Sequence, residues 1–233
     1  MGSASVPHRV AVTLTHPSPN FGERRGGQRP ELVVLHYTAM ASCAEALARL
    51  CDPVAEVSAH YLIDSDGTVL ALVAEQDRAW HAGAGSWGGR GDVNSRSIGI
   101  ELANPGAQPF ADPQISALEP LLRDILSRWS LPPQAVIGHS DMAPDRKADP
   151  GPRFDWRRLA LAGLSVWPEP AEPGDFAADL AAFGYPDLPT ETLLATFRLR
   201  FRPWATGPLD ATDRALAADL ARRFPVDVIT PQA

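Results

Sequence analysis

The chain has 233 residues, 45% of them hydrophobic, and a formal net charge of −7, which is enough apolar material for a sizeable core in one or two domains. The acidic balance argues against a general nucleic-acid binder, which carries a basic face. No apolar run approaches the roughly 18 residues needed to span a bilayer, and Met1 to Asn20 lacks a basic start followed by an apolar core, so neither a membrane segment nor an export signal is expected.

Residues 1–30 carry Pro7, Pro17, Pro19, Gly22, Gly26, Gly27 and Pro30 without periodicity and read as an extended arm, with Val10 to Leu14 as an edge strand. Leu32-Val33-Val34-Leu35 is a short apolar run of the kind found in a buried strand, and it delivers His36 to the rim of a sheet. Ser42 and Glu45 have the spacing of a capping box and start a helix that Asp52-Pro53 stops. Cys43 and Cys51 both fall in that helix. Eight residues of rise separate them by about 12 Å, beyond the ~7 Å reach of a disulfide, so the thiols are expected free, as suits a reducing compartment.

Ala59 to Ile63 and Thr68 to Val73 read as a hairpin turning at Gly67. Residues 81–96 are polar and rich in glycine, and they read as a surface loop that also exposes Trp87. Ser97 to Leu102 is a central strand carrying Glu101, a carboxylate among Ile98, Ile100 and Leu102 that needs either a partner or a job. Asp112 is expected to cap the longest helix, with Pro113 in its first turn and an apolar face from Ile115 to Trp129. Ala135 to Ile137 feeds His139, so both histidines leave strand ends, where open α/β sheets place their sites.

From Gly138 to Gly151 an imidazole, an ammonium and a carboxylate gather in a segment that Pro144, Pro150 and Gly151 keep irregular. His36, His139 and Asp149 make a three-ligand set for Zn²⁺ with the fourth position open to water, which is a catalytic pattern. A separation of more than a hundred residues between the histidines has no fixed signature, and the bland alternative is histidines satisfied within the core. Asp155 to Leu161 reads as a closing helix. Pro168, Pro170, Pro173 and Gly174 make a semi-rigid linker. Beyond it Phe176 to Phe183 is expected to be helical. Thr190 to Phe201 fits either a strand alternating with arginines or a helix, and the helix is preferred. Thr212 is expected to cap the last helix.

Five motifs occur in order: Val34-Leu35-His36-Tyr37-Thr38, Val57-Ser58-Ala59-His60-Tyr61-Leu62-Ile63, Ala79-Trp80-His81-Ala82-Gly83, Ser97-Ile98-Gly99-Ile100-Glu101, and Gly138-His139-Ser140-Asp141 through Lys147-Ala148-Asp149-Pro150-Gly151. Together they resemble the zinc-dependent N-acetylmuramoyl-L-alanine amidases related to peptidoglycan recognition proteins. The resemblance implies an α/β fold with a central mixed sheet flanked by helices, one Zn²⁺ on His36, His139 and Asp149, and peptidoglycan fragments or muropeptides as substrate. It also implies Glu101 as general base and Lys147 at the oxyanion. Some relatives carry a tyrosine just before the hairpin histidine, where this chain has Ala59. Trp80 and His81 are read as lining the substrate groove, with packing beneath it as the alternative, and Asn94 as a substrate contact.

The tail, through Phe197 to Pro203, Gly207, Asp210 and Thr212, resembles the small three-helix peptidoglycan-binding domains attached to such enzymes. The expected organisation is an arm (1–20), an amidase domain (21–168), a linker (169–175) and an all-α domain (176–233), the last small enough to pack on its neighbour. The rival reading is a module that binds muropeptides without cutting them, although such relatives typically lose a metal ligand. The compartment expected is the cytoplasm, or the periplasm if a signal sequence has been removed.

Overall fold

From the N-terminus the chain runs through β1 (Phe21–Gly22), β2 (Leu32–Tyr37), α1 (Cys43–Cys51), β3 (Tyr61–Ile63), β4 (Val69–Ala71), β5 (Arg78–Ala79), α2 (Val93–Arg96), β6 (Ser97–Leu102), α3 (Asp112–Trp129), β7 (Val136–Gly138), α4 (His139–Met142), α5 (Trp156–Leu161), α6 (Phe176–Phe183), α7 (Thr190–Phe201) and α8 (Ala211–Arg223). This computed structural model describes residues 15–226. The edge strand expected at Val10 to Leu14 lies outside them.

The main sheet has the order β4-β3-β6-β2-β7. The strands β3, β6, β2 and β7 run parallel, and β4 returns antiparallel as the second arm of the expected hairpin, shorter than its sequence suggested. A separate pair, β1 with β5, ties the end of the arm to the loop before the site. Because β2 is central and covered on both faces, it reads as continuous apolar sequence rather than alternation. Its period of two still sorts the side chains. Val33 and Leu35 join Ile98, Ile100, Leu118, Leu122 and Ile125 under α3, while Leu32 and Val34 face the opposite core.

That opposite core contains the tail. Phe176, Leu180, Phe183, Phe197 and Phe201 from the last helices form one cluster with Leu32, Val34, Ile137 and Met142. Trp87 sits at its centre, 1% exposed, edge-on to Phe183 and Tyr185 at ring separations of 5.5 and 5.2 Å. The surface role expected for Trp87 is therefore wrong. Trp87 and Gly88 lie under the tail helices while Gly83, Ala84, Gly89 and Gly91 stay exposed, and Gly184 is needed there because a Cβ would come within 2.5 Å of the indole.

Other expectations shift by a residue or two. Ala111 rather than Asp112 is the N-cap of α3, and Asp112 instead pairs with Arg158. Asp210 rather than Thr212 caps α8, accepting the Asp213 N–H in a reciprocal capping box. The segment after His139, expected to be irregular, begins with the helical turn α4. Ser42 caps α1 as its spacing implies, and both cysteines are free.

Candidate active site

Strand register builds the site. In the pairing of β2 with β6, His36 stands opposite Glu101. In the pairing of β2 with β7, Leu35 stands opposite Gly138, so the next residue, His139, emerges beside His36. All three strands are parallel, which puts these side chains at one edge, the carboxyl ends of the strands. Asp149 returns to this edge because its carbonyl accepts the Ser140 N–H at 2.9 Å and closes the intervening loop. Arg146 pins that loop from outside, donating to the carbonyls of Ala82 and Ala84.

His36 Nδ1, His139 Nδ1 and Asp149 Oδ2 lie 2.9 to 3.0 Å from one another, and all three residues are buried. The surrounding hydrogen bonds fix what these atoms carry. Ser97 Oγ donates to the Val93 carbonyl at 2.6 Å, so at its 3.0 Å contact with His81 Nε2 it accepts. His81 then holds its proton on Nε2 and presents a bare Nδ1 to His36 Nε2, 3.0 Å away. His36 must donate there, leaving its own Nδ1 unprotonated. His139 reaches the same state directly, because its Nε2 lies 2.9 Å from the Ala82 carbonyl, which can only accept.

Three lone pairs thus converge. Such a cluster repels itself unless a cation or a proton sits among them, and two imidazoles with one carboxylate are a donor set suited to zinc. Tetrahedral geometry with ligand bonds of about 2.0–2.1 Å needs donor separations of about 3.3 Å, so the three would open by a few tenths of an ångström around an ion. Burial, followed by the neighbouring His139, pushes the His36 pKa down to about 4, and burial also holds His81 well below its ordinary value. Neutral imidazoles, the form that ligates, result.

A cavity of about 470 Å³ opens over these atoms, with Trp80, His81, Glu101, Lys147 and Arg49 also on its walls. Glu101 lies on β6 with its Oε2 buried and without a hydrogen-bond partner among the described residues. Burial, and then Asp149, push its pKa up to about 8 against the pull of Lys147. A carboxyl group held in that range can both take and return a proton near neutral pH.

Asn94 is placed elsewhere. It is buried behind the wall, and its Oδ1 accepts from the backbone N–H groups of His81 and Ala82 at 3.0 and 2.8 Å. Its acceptor orients the strip that holds both rings. Sequence reasoning also passed over Ser97 and Gly99. A Cβ on Gly99 would lie 2.3 Å from the His81 ring, so the glycine within Ser-Ile-Gly-Ile-Glu was the available signal for a bulky group lying across β6. His60 is the remaining buried imidazole here. Its Nδ1 accepts the Gly99 N–H and its Nε2 faces Arg24 and the Asp77 carbonyl.

The fold and site define an α/β protein with a candidate divalent-metal centre and a neighbouring carboxyl at the mouth of a groove. Residues 26–152 match the family model described as N-acetylmuramoyl-L-alanine amidase. The chain is 38% identical over 237 residues to the N-acetylmuramoyl-L-alanine amidase AmiD of Escherichia coli, covering 85% of each. It is 36% identical over 167 residues to the 1,6-anhydro-N-acetylmuramyl-L-alanine amidase AmpD of Salmonella typhimurium, covering 64% of this chain and 89% of the relative. Among solved structures, E. coli AmiD in complex with the substrate anhydro-N-acetylmuramic acid-L-Ala-D-gamma-Glu-L-Lys is similar at a TM-score of 0.77 and 34% identity, covering 88% of this chain and 98% of that one. AmpDH3 from Pseudomonas aeruginosa is similar at 0.77 and 31%, covering 96% and 100%. The chain belongs to the N-acetylmuramoyl-L-alanine amidase family.

Proposed function

We propose that this chain is a zinc-dependent amidase that cuts between N-acetylmuramic acid, or its anhydro form, and the L-alanine of the attached peptide, in the turnover or recycling of cell-wall fragments. The observation that carries the reading is the convergence of three lone pairs from His36, His139 and Asp149 beside the Glu101 carboxyl, whose buried Oε2 has no hydrogen-bond partner among the described residues. The names of its relatives supply the substrate class.

In this reading zinc, when bound, supplies Lewis acidity that polarises an amide carbonyl and makes a water molecule more acidic. Glu101 takes the proton of the attacking water and hands it to the leaving nitrogen, the exchange its raised pKa suits. Lys147, on the cavity wall, offers an ammonium to the oxygen that becomes negative. Trp80 and His81 bound the groove against which the sugar and peptide lie.

The test is metal analysis of the purified protein together with release of free peptide from soluble anhydro-muropeptides and from intact sacculi. Zinc bound near one equivalent and peptide release from either substrate support the reading. Muropeptide binding with no release in the presence of zinc replaces it with a recognition module.

A further inference from the structure

The turn that presents His139 is held from below by the far end of the chain. Asp141 is 1% exposed. Its Oδ2 accepts the Gly138 N–H at 2.8 Å, the bond that shapes the turn into α4. The same carboxylate takes Tyr185 Oη on Oδ1 and an Arg200 nitrogen on Oδ2, each at 2.5 Å. Arg200 is also almost fully enclosed. It donates to the Val136 carbonyl at 3.1 Å and to Ser165 Oγ at 3.3 Å, and its guanidinium lies 4.2 Å from the centre of the Trp156 ring.

One guanidinium thus grips the strand that enters His139 and, through Asp141, the turn that leaves it. A buried carboxylate with such partners is held in place, and removing either partner leaves an uncompensated buried group. Groups that orient a metal ligand without touching the metal commonly govern how tightly it binds. Arg198, two residues earlier on α7, provides the contrast. It pairs with Asp213 and the carbonyls of Gly207 and Pro208, all within the tail.

We propose that Tyr185 and Arg200 are positioning residues for His139: by fixing Asp141 they set the β7–α4 turn, so that the tail helices govern metal affinity at a site they do not line. This rests on the amidase reading for the identity of the metal. Zinc alone is the probe, titrated into the full-length protein by competition with a chromophoric chelator. Hydrogen exchange across residues 136–142 of the metal-free protein and thermal melting are measured beside it.

Tyr185→Phe and Arg200→Met are expected to weaken zinc binding by about tenfold or more and to speed exchange across the turn, with Arg200→Lys recovering part of both. Arg198→Met is expected to lower the melting temperature while zinc affinity and exchange stay at wild-type values. Should Arg200→Met fail to fold, Tyr185→Phe, which removes a single hydroxyl, decides. The proposal is overturned if Tyr185→Phe and Arg200→Lys bind zinc like wild type with unchanged exchange, whatever happens to their melting temperatures. A wild-type protein that binds no zinc removes the amidase reading, and the exchange comparison then still decides whether the tail holds the turn.

Discussion

His36 Nε2 and His81 Nδ1 face each other at 3.0 Å, and the hydrogen bonds beyond His81, through Ser97 to the Val93 carbonyl, allow the proton between them to belong only to His36. His81 therefore decides which nitrogen of its neighbour is left for a metal. This makes the groove-lining histidine a supporting group as well as a wall.

His81→Ala is expected to lower zinc affinity by about 10- to 100-fold, read by chelator competition, because His36 then loses the acceptor that fixes its tautomer and ring angle. Affinity at the wild-type level would show that the rest of the pocket is sufficient to orient His36.

Gly99→Ala reaches the same ring from the other side. The added methyl would lie 2.3 Å from the His81 ring, so either the imidazole or the strand must shift, at a cost of about 1–3 kcal/mol. Loss of zinc affinity parallel to His81→Ala is expected together with a lower melting temperature. A variant as stable as wild type, with full metal affinity, would contradict the tight fit.

Glu101→Gln separates chemistry from stability. Turnover should fall by about 10²- to 10⁴-fold with zinc retained. In the metal-free protein the same substitution is expected to raise stability. The folded carboxyl keeps its proton to about pH 8, whereas the unfolded one releases it near pH 4.3. Between those values the folded state binds more protons, so wild-type stability declines as pH rises. Gln at 101 should remove that decline and leave the apo-protein more stable than wild type at neutral pH, as denaturant titrations across pH would show.

Glu75 behaves oppositely. Burial alone would raise its pKa, but hydrogen bonds from Arg128, Tyr61 and Trp129 outweigh this and hold it below the ordinary value. Its contribution is full above the unfolded carboxylate value of about 4.3 and is lost as pH falls through the lower folded value. Glu75→Gln should cost stability at neutral pH and narrow the difference from wild type in acid. A difference independent of pH would mean that the charge contributes nothing.

The parts of the molecule legible in its sequence are those whose cause is local. The apolar run of β2, the Ser42 cap and the approach of both histidines from strand ends follow from neighbours in sequence. Trp87 was misread because its partners, Phe183 and Tyr185, lie about a hundred residues away, and glycine-rich sequence looks like surface until something covers it. The helix α7 was ambiguous for a related reason. Arg198 and Arg200 are buried and donate to acceptors outside that helix, which blurs the apolar stripe by which a helix is recognised. The backbone hydrogen bonds of Asn94 were equally illegible, because the amides of His81 and Ala82 that they hold lie more than ten residues earlier in the sequence.

Those bonds tie together two parts of the molecule that otherwise have separate supports. Asn94 Oδ1 secures consecutive amides, those of His81 and Ala82. The first of these residues steers His36 by its ring, and the second steers His139 by its carbonyl. Both imidazoles are consequently indexed to one dipeptide. A displacement of that dipeptide reaches both rings, so a change at position 94 acts on the two imidazoles at once.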